Sequence, residues 1–156
     1  MSPRKRFVLA CWCAALALTA TASAAKPPIA GRDVVTGKTV GLAQFHGKPV
    51  FVNVWGSWCF ACTAEARTLA HFARAHERQV AFLGIDTEDS KAGARAFYKR
   101  FDTGYPSIWD PNGLLAGAWS RGTPTTLVFD RKHVFVQRIE GSATLAQLNA
   151  ALKRVT

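Results

Sequence analysis

The chain has 156 residues, 49% of them hydrophobic and 19% charged, which is the length of one domain and enough apolar content for a core without structural staples. Its 20 Lys and Arg outweigh 10 Asp and Glu, for a formal net charge of +10. The positives are scattered singly or in pairs such as Lys99-Arg100, Arg131-Lys132 and Lys153-Arg154, with no nucleic-acid-binding motif. This excludes a nucleic-acid footprint and leaves a solvated basic surface drawn to anionic envelope lipids.

The chain opens with Arg4-Lys5-Arg6, an apolar run from Phe7 to Leu18, and the small residues Thr19-Ala20-Thr21-Ala22-Ser23-Ala24. A basic flank, a short apolar run and small residues form the pattern of a secretory signal peptide cleaved after Ala24. The run falls short of the roughly 20 residues that span a bilayer, although Thr and Ser could extend it into an uncleaved membrane anchor. Residues 1–24 are read as the leader and 25–156 as the working domain. Cys11 stands too early in the apolar run for a lipid-attachment site.

Lys26-Pro27-Pro28 is a stiff spacer, and the turn signals Gly31, Thr36-Gly37-Lys38 and Gly47-Lys48-Pro49 predict a hairpin between Ile29 and Pro49. Val50 to Trp55 is a nearly continuous β-branched and aromatic run, as for a strand buried on both faces. From Cys59 to about His76 the apolar residues Cys62, Ala66, Leu69, Phe72 and Ala73 recur at helical spacing, with Arg67, Arg74 and Arg78 on other faces. Val80 to Ile85 is a second buried strand, and Ser90 caps a helix reaching Phe101. A short strand over Tyr105–Asp110, a short helix over Gly113–Trp119, strands over Thr125–Phe129 and Val134–Ile139, and a helix over Thr144–Arg154 complete the order. A parallel βαβ half, an antiparallel hairpin and a closing helix on one sheet give an α/β sandwich.

Cys11 and Cys13 lie in the leader, so the processed chain keeps Cys59 and Cys62. A disulfide across so small a loop adds little stability, and export places the pair where disulfides form, so reactivity explains it better than stapling. A cysteine at a helix N-terminus faces unpaired N–H groups and the positive end of the helix dipole. Its pKa falls from ~8.5 into the range of about 3.5 to 7.5. Cys59 is thus the expected nucleophile and Cys62, one turn in and less exposed, the resolving thiol.

The segment Val52-Asn53-Val54-Trp55-Gly56-Ser57-Trp58-Cys59-Phe60-Ala61-Cys62-Thr63-Ala64-Glu65 resembles the active-site stretch of the thioredoxin superfamily, in its extracytoplasmic TlpA/ResA branch. Gly122-Thr123-Pro124-Thr125-Thr126 is similar to that family's second signature, in which the proline is cis. The likeness runs from about Ile29 to the C-terminus. It implies a thioredoxin-like three-layer sandwich with a mixed central sheet flanked by helices, and a disulfide oxidoreductase with no bound cofactor and no metal. It also implies a substrate groove at Trp58, Phe60, Ala61, Thr123 and Pro124, and a Glu65 that replaces the buried strand acid of cytoplasmic thioredoxins, where this chain has Asn53. Glu65 shares a helix face with Cys62, so it is expected partly inward beside it. The other reading of Glu65 is an ordinary acid favoured by the helix dipole.

Three departures stand out. Phe60-Ala61 replaces the usual x-Pro pair between the cysteines and bears on redox potential. Arg67 stands in place of a helix-kinking proline. His133 occupies a turn position that often carries glycine, where a left-handed backbone costs about 1 kcal/mol or more. Zinc lacks a second ligand pair, Thr63 stands where c-type haem attachment needs His, and neither cysteine has the Pro-x-x-x-Thr/Ser-x-x-Cys setting of a peroxidatic thiol. Trp55 reads as core and Trp58 as a cover for the disulfide or a substrate contact. Trp109 and Trp119 read as core or groove walls, and His71 and His76 as helix-surface or boundary residues.

The expected function is an extracytoplasmic protein disulfide reductase acting on exported thiols or disulfides, in thiol maintenance or c-type cytochrome maturation, recharged by a membrane electron donor. The alternatives are a disulfide oxidase or isomerase, and a non-enzymatic Cu(I)-binding module of the same fold gripping the metal with Cys59, Cys62 and a histidine such as His133.

Overall fold

The computed structural model describes residues 26–156, so the leader or anchor expected over residues 1–24 lies outside the described residues. The turn-rich N-terminus forms the antiparallel hairpin β1 (Ala30–Arg32) and β2 (Thr39–Gly41), followed by a single 3-10 turn at Leu42–Phe45. Then come β3 (Val50–Trp55), α1 (Phe60–Ala75), β4 (Ala81–Thr87), α2 (Lys91–Phe101) and β5 (Ser107–Asp110). The second half holds α3 (Leu114–Trp119), β6 (Thr125–Phe129), β7 (Phe135–Glu140) and α4 (Leu145–Val155). Five strands form one mixed sheet in the order β5-β4-β3-β6-β7, with β3 and β5 parallel to β4, and β6 antiparallel to β3 and β7.

Because β3 is paired on both sides, all six of its residues are buried, which is why its sequence lacks polar alternation. Its alternate side chains feed two cores. Phe51 packs with Leu69 and Phe72 of α1, Phe82 of β4, and Leu148 and Leu152 of α4. Val50, Val52 and Val54 pack on the opposite face with Leu83, Ile85, Leu127 and Ala116 of α3. Toward the end of the sheet Trp55 joins Cys62, Ala66, Ala94 and Phe97, which seats α2 beside α1. Helices α1, α2 and α4 cover one face of the sheet and α3 the other, the three-layer arrangement that the family resemblance implies.

Side chains close the helix ends where the sequence indicates. Ser90 Oγ accepts from Gly93 N at 3.0 Å, and Thr144 and Gln147 form a reciprocal capping box at α4. β4 extends two residues beyond the predicted Ile85, because Asp86 and Thr87 find partners on β5: Asp86 opposes Trp109 and Thr87 opposes Asp110. His133 does adopt the left-handed backbone, with φ 58°. Its ring stacks on His46 at 6.1 Å, and Nε2 lies 3.2 Å from Phe45 O, interactions that offset the backbone cost. Among the described residues no helix is long and apolar enough to cross a membrane.

Gly84 lets β4 pass beneath an aromatic contact. A Cβ there would strike Ser107 Oγ and come 2.9 Å from Trp55 Nε1, two groups that hydrogen-bond to each other at 2.8 Å. Gly84→Ala is therefore expected to break that bond and to cost about 1–3 kcal/mol, the usual range for overpacking. Urea unfolding should show a lower midpoint at unchanged slope. An unaltered midpoint would mean that the sheet opens here without cost.

Candidate active site

Where β3 ends, Gly56 O accepts a hydrogen bond from Cys59 N at 3.1 Å, and the tight turn aims the chain into α1. Cys59 is the N-cap residue of that helix, with extended backbone angles, and its Sγ accepts from Cys62 N at 3.1 Å. The helix dipole and that N–H both favour negative charge on the sulfur. Cys59 and Cys62 are joined as a disulfide with their Cα atoms 5.2 Å apart, and they are 5% and 1% exposed. Around this buried pair, Trp58 is 56% and Phe60 89% exposed, leaving an apolar rim beside Cys59. Gly56 makes room for the Trp58 indole, whose Nε1 donates to Thr87 O at 3.2 Å.

Glu65 lies one turn beyond Cys62 and faces fully inward, at 3% exposure, where partial burial was expected. Its Oε1 accepts from Asn53 Nδ2 at 3.0 Å and its Oε2 from the backbone N–H of Ala143 at 2.6 Å. Asn53 Nδ2 also donates to Thr126 Oγ1 at 3.3 Å. The carboxyl group thus joins α1, β3, β6 and the turn before α4. Burial pushes its pKa up to about 7, against the opposing pull of the hydrogen bonds from Ala143 and Asn53. A dipole-favoured surface acid would sit in the first turn and face water, and Glu65 does neither. Asn53 suits this position because its amide donates to the carboxyl, whereas an aspartate would repel it.

β6 enters beside the disulfide. Its Thr125 pairs with Val54, so the Thr123-Pro124 bond, which is cis as expected, lies at the end of the sheet that carries Cys59. Thr123 also lines a cavity of about 290 Å³ with Thr87, Glu88, Gly113, Arg121 and Gly122. The predicted groove residues Trp58, Phe60, Ala61, Thr123 and Pro124 therefore converge on one end of the sheet. Ala61 is half-buried, and its carbonyl accepts from Ser142 Oγ at 3.1 Å, which ties α1 to the approach of α4.

His133 does not belong to this group. It lies in the β6–β7 turn beside Phe45 and His46, next to the Val50–Phe129 pair, a full strand length from Cys59. The proposed copper ligand set of Cys59, Cys62 and His133 is therefore corrected: a strand-turn residue at the far end of the sheet cannot reach the sulfurs. Among the described residues no three His, Cys, Asp or Glu side chains cluster as a metal site. Trp55 is core, and Trp109 and Trp119 are half-buried walls, the latter donating to Pro27 O at 2.9 Å. His71 is exposed and His76 half-buried, as read. Sequence reasoning missed Ser57, Asp86 and Asp89 behind the cysteine turn. The available signal was an acid, Asp86, directly continuing an apolar strand.

The AhpC/TSA family profile matches residues 20–138. Thiol-disulfide oxidoreductase ResA of Bacillus cereus is 30% identical over 122 residues, covering 77% of this chain and 70% of that protein. Thiol:disulfide interchange protein DsbE of Pseudomonas fluorescens biotype C is 34% identical over 108 residues, covering 67% of this chain and 58% of its own length. Among solved structures, a secreted thiol-disulfide isomerase from Corynebacterium glutamicum is similar with TM-score 0.76 at 28% identity, over 83% of this chain and 84% of that one.

The raised Glu65 pKa couples the site to stability. The folded state holds a proton from the ordinary value of 4.5 up to about 7, while the unfolded state has released it. The folded protein binds more protons in that window, so stability present below pH 4.5 is lost as pH rises through about 7. Glu65→Gln keeps the shape and removes the titration, with the Asn53 amide turned to accept from the new side chain. Its urea stability is expected to fall less than wild type between pH 5 and pH 8, the interval bracketing about 7. Parallel pH profiles would place the Glu65 carboxylate in contact with solvent.

Proposed function

Because the chain belongs to the AhpC/TSA family, and within it is a ResA-like thiol-disulfide oxidoreductase of thioredoxin fold, we propose that it is an extracytoplasmic protein disulfide reductase. The observation that carries this reading is Cys59 at the N-cap of α1, disulfide-bonded to the more buried Cys62, with the neutral-leaning Glu65 on the same helix. Export is supported by the leader pattern in residues 1–24, which also leaves room for membrane anchoring.

In the reduced protein, the Cys59 thiolate attacks one sulfur of a substrate disulfide, forming a mixed disulfide and releasing the other substrate sulfur as a thiolate. Cys62, as thiolate, then attacks Cys59 Sγ. The second substrate thiolate leaves, so the substrate disulfide has gained two electrons as two thiols and the protein has lost them in forming the Cys59–Cys62 disulfide. Cys62 must lose a proton to attack, and Glu65, held inward by Asn53 and Ala143, is the group proposed to accept it. The substrate segment lies across Trp58, Phe60 and Ala61 on one side and Thr123-Pro124 on the other. No cofactor takes part. Recharging requires a membrane electron donor, and exported proteins with cysteine pairs, including those of c-type cytochrome maturation, are the substrate class.

Three variants test the roles. Cys59→Ser is expected to abolish exchange with a peptide disulfide, while Cys62→Ser accumulates a mixed disulfide visible by mass spectrometry. Glu65→Gln should form that mixed disulfide at the wild-type rate and resolve it about 10²-fold or more slowly, the contribution of a positioned base. The reverse trapping pattern would exchange the roles of the cysteines. A reduction potential near about −120 mV, typical of strong oxidants, in place of about −270 mV would turn the reductase assignment into an oxidase.

A further inference from the structure

Asp86 ends the apolar run of β4, between Trp55 of β3 and Trp109 of β5. It is 0% exposed, and neither carboxyl oxygen receives a hydrogen bond from any N–H or from any hydroxyl among the described residues. A buried carboxylate with no donor is a costly arrangement, so the group calls for a physical account. Its side chain meets that of Asp89 in a carboxyl–carboxyl contact, which is a hydrogen bond only when one partner carries a proton.

The surroundings decide which one. Asp89 Oδ2 accepts from Ser57 N at 2.5 Å, and Oδ1 accepts from Ser57 Oγ at 2.9 Å and from Ser90 N at 2.7 Å. Two carboxylate oxygens offer about four acceptor sites, so three are filled by donors and one remains. Asp86 has no donors at all. The proton therefore belongs on Asp86.

We propose that Asp86 holds a proton and donates it to Asp89, and that this acid pair is a latch positioning the Ser57-Trp58-Cys59 turn for disulfide exchange. Asp86 is a positioning residue, acting through Asp89 and Ser57 on a cysteine it does not itself contact by a hydrogen bond. The inference rests on the reading of Cys59 as the attacking thiol. The latch is built into the backbone on every side. A side chain at Gly93 would come 2.5 Å from Ser57 Oγ and 2.8 Å from Asp89 Oδ1, so the first turn of α2 carries a glycine there. The same segment receives both nearby indoles, Trp58 on Thr87 O and Trp109 on Asp89 O.

No cation pairs with Asp86 among the described residues. Its own strand and turn contribute Glu88 and Asp89, and β5 contributes Asp110, whose Oδ2 accepts from Ala116 N. From α2, Lys91 lies over the Trp109 ring at 4.1 Å, and Arg95 donates to Val34 O. α1 contributes the Cys59–Cys62 disulfide and Glu65, and β3 no titratable group. Burial first, then the charges of Asp89 and Asp110, push the Asp86 pKa up to about 8. Above that value Asp86 releases its proton to solvent, two carboxylates face each other, and Ser57 loses its fixed acceptor.

In the disulfide form the cysteines do not titrate, so Glu65 is the other buried group of this site that changes charge in the range, and Glu65→Gln removes it. In NMR titration of the oxidised protein from pH 5 to 10, the range around about 8, the Asp86 carboxyl carbon and the Ser57 amide are expected to share a midpoint near 8. The Cys59 amide should follow. Asp86→Asn, whose side-chain amide donates to Asp89 at every pH, should flatten the Ser57 and Cys59 curves, while Glu65→Gln leaves them in place. An Asp86 midpoint near the ordinary carboxyl value of about 4, or an unchanged Ser57 titration in Asp86→Asn, would overturn the latch. If Asp86→Asn does not fold, the wild-type comparison of the three signals decides alone.

Discussion

The structure depends above all on the double pairing of β3. A strand hydrogen-bonded to β4 on one side and β6 on the other cannot slide without losing both ladders and inverting both cores. Its last residue, Trp55, is therefore held in place, and with it the turn that starts α1. Three other chain segments arrive at the same end of the sheet: the end of β4, the start of β6 and the approach to α4. Each brings something to the cysteines. The end of β4 supplies the Thr87 carbonyl that holds Trp58 and the turn after it the Asp89 carboxylate that holds Ser57, β6 leads from the Thr123-Pro124 edge, and the approach to α4 supplies the N–H that holds Glu65.

Charge is distributed unevenly in consequence. The chain carries a net +10, yet Glu65, Asp86, Glu88, Asp89 and Asp110, half of its ten acids, gather where the parallel strands end. A site so acidic would disfavour a thiolate if every carboxyl were ionised. Burial answers this for two of them: desolvation raises the pKa of both Glu65 and Asp86, so each resists ionisation. They flank the cysteine turn from different directions, Glu65 from within α1 and Asp86 from beneath the loop. The N-terminus of α1 and the Cys62 N–H then act on a sulfur whose buried neighbours add little negative charge.

Much of the fold was legible because its signals are local. Val50–Trp55 is apolar without alternation since both faces are covered, Ser90 and Thr144 cap the helices they precede, and Cys59 and Cys62 lie one turn apart. The family likeness of the two active-site segments brought Trp58, Phe60, Thr123 and Pro124 to one end of the sheet, as the structure does. The readings that shifted were those that needed a neighbour. Glu65 is wholly buried because Asn53 and Ala143 receive it, and the second of these is 78 residues away. β4 outlasts its apolar run because β5 continues to pair with it.

The amino-acid sequence by itself determined the order of the elements, the α/β class and the position of the thiol pair at a helix start. Hydrophobic period and capping act over a few residues, so a short window contains their cause. Only the tertiary structure decided which polar groups meet: Ser57 with Asp89, 32 residues on, Asp86 with no donor, and His133 at the far end of the sheet from the sulfurs. A carboxyl group's protonation follows from its burial and from the donors around it, and those are set when strand ends distant in the chain become neighbours.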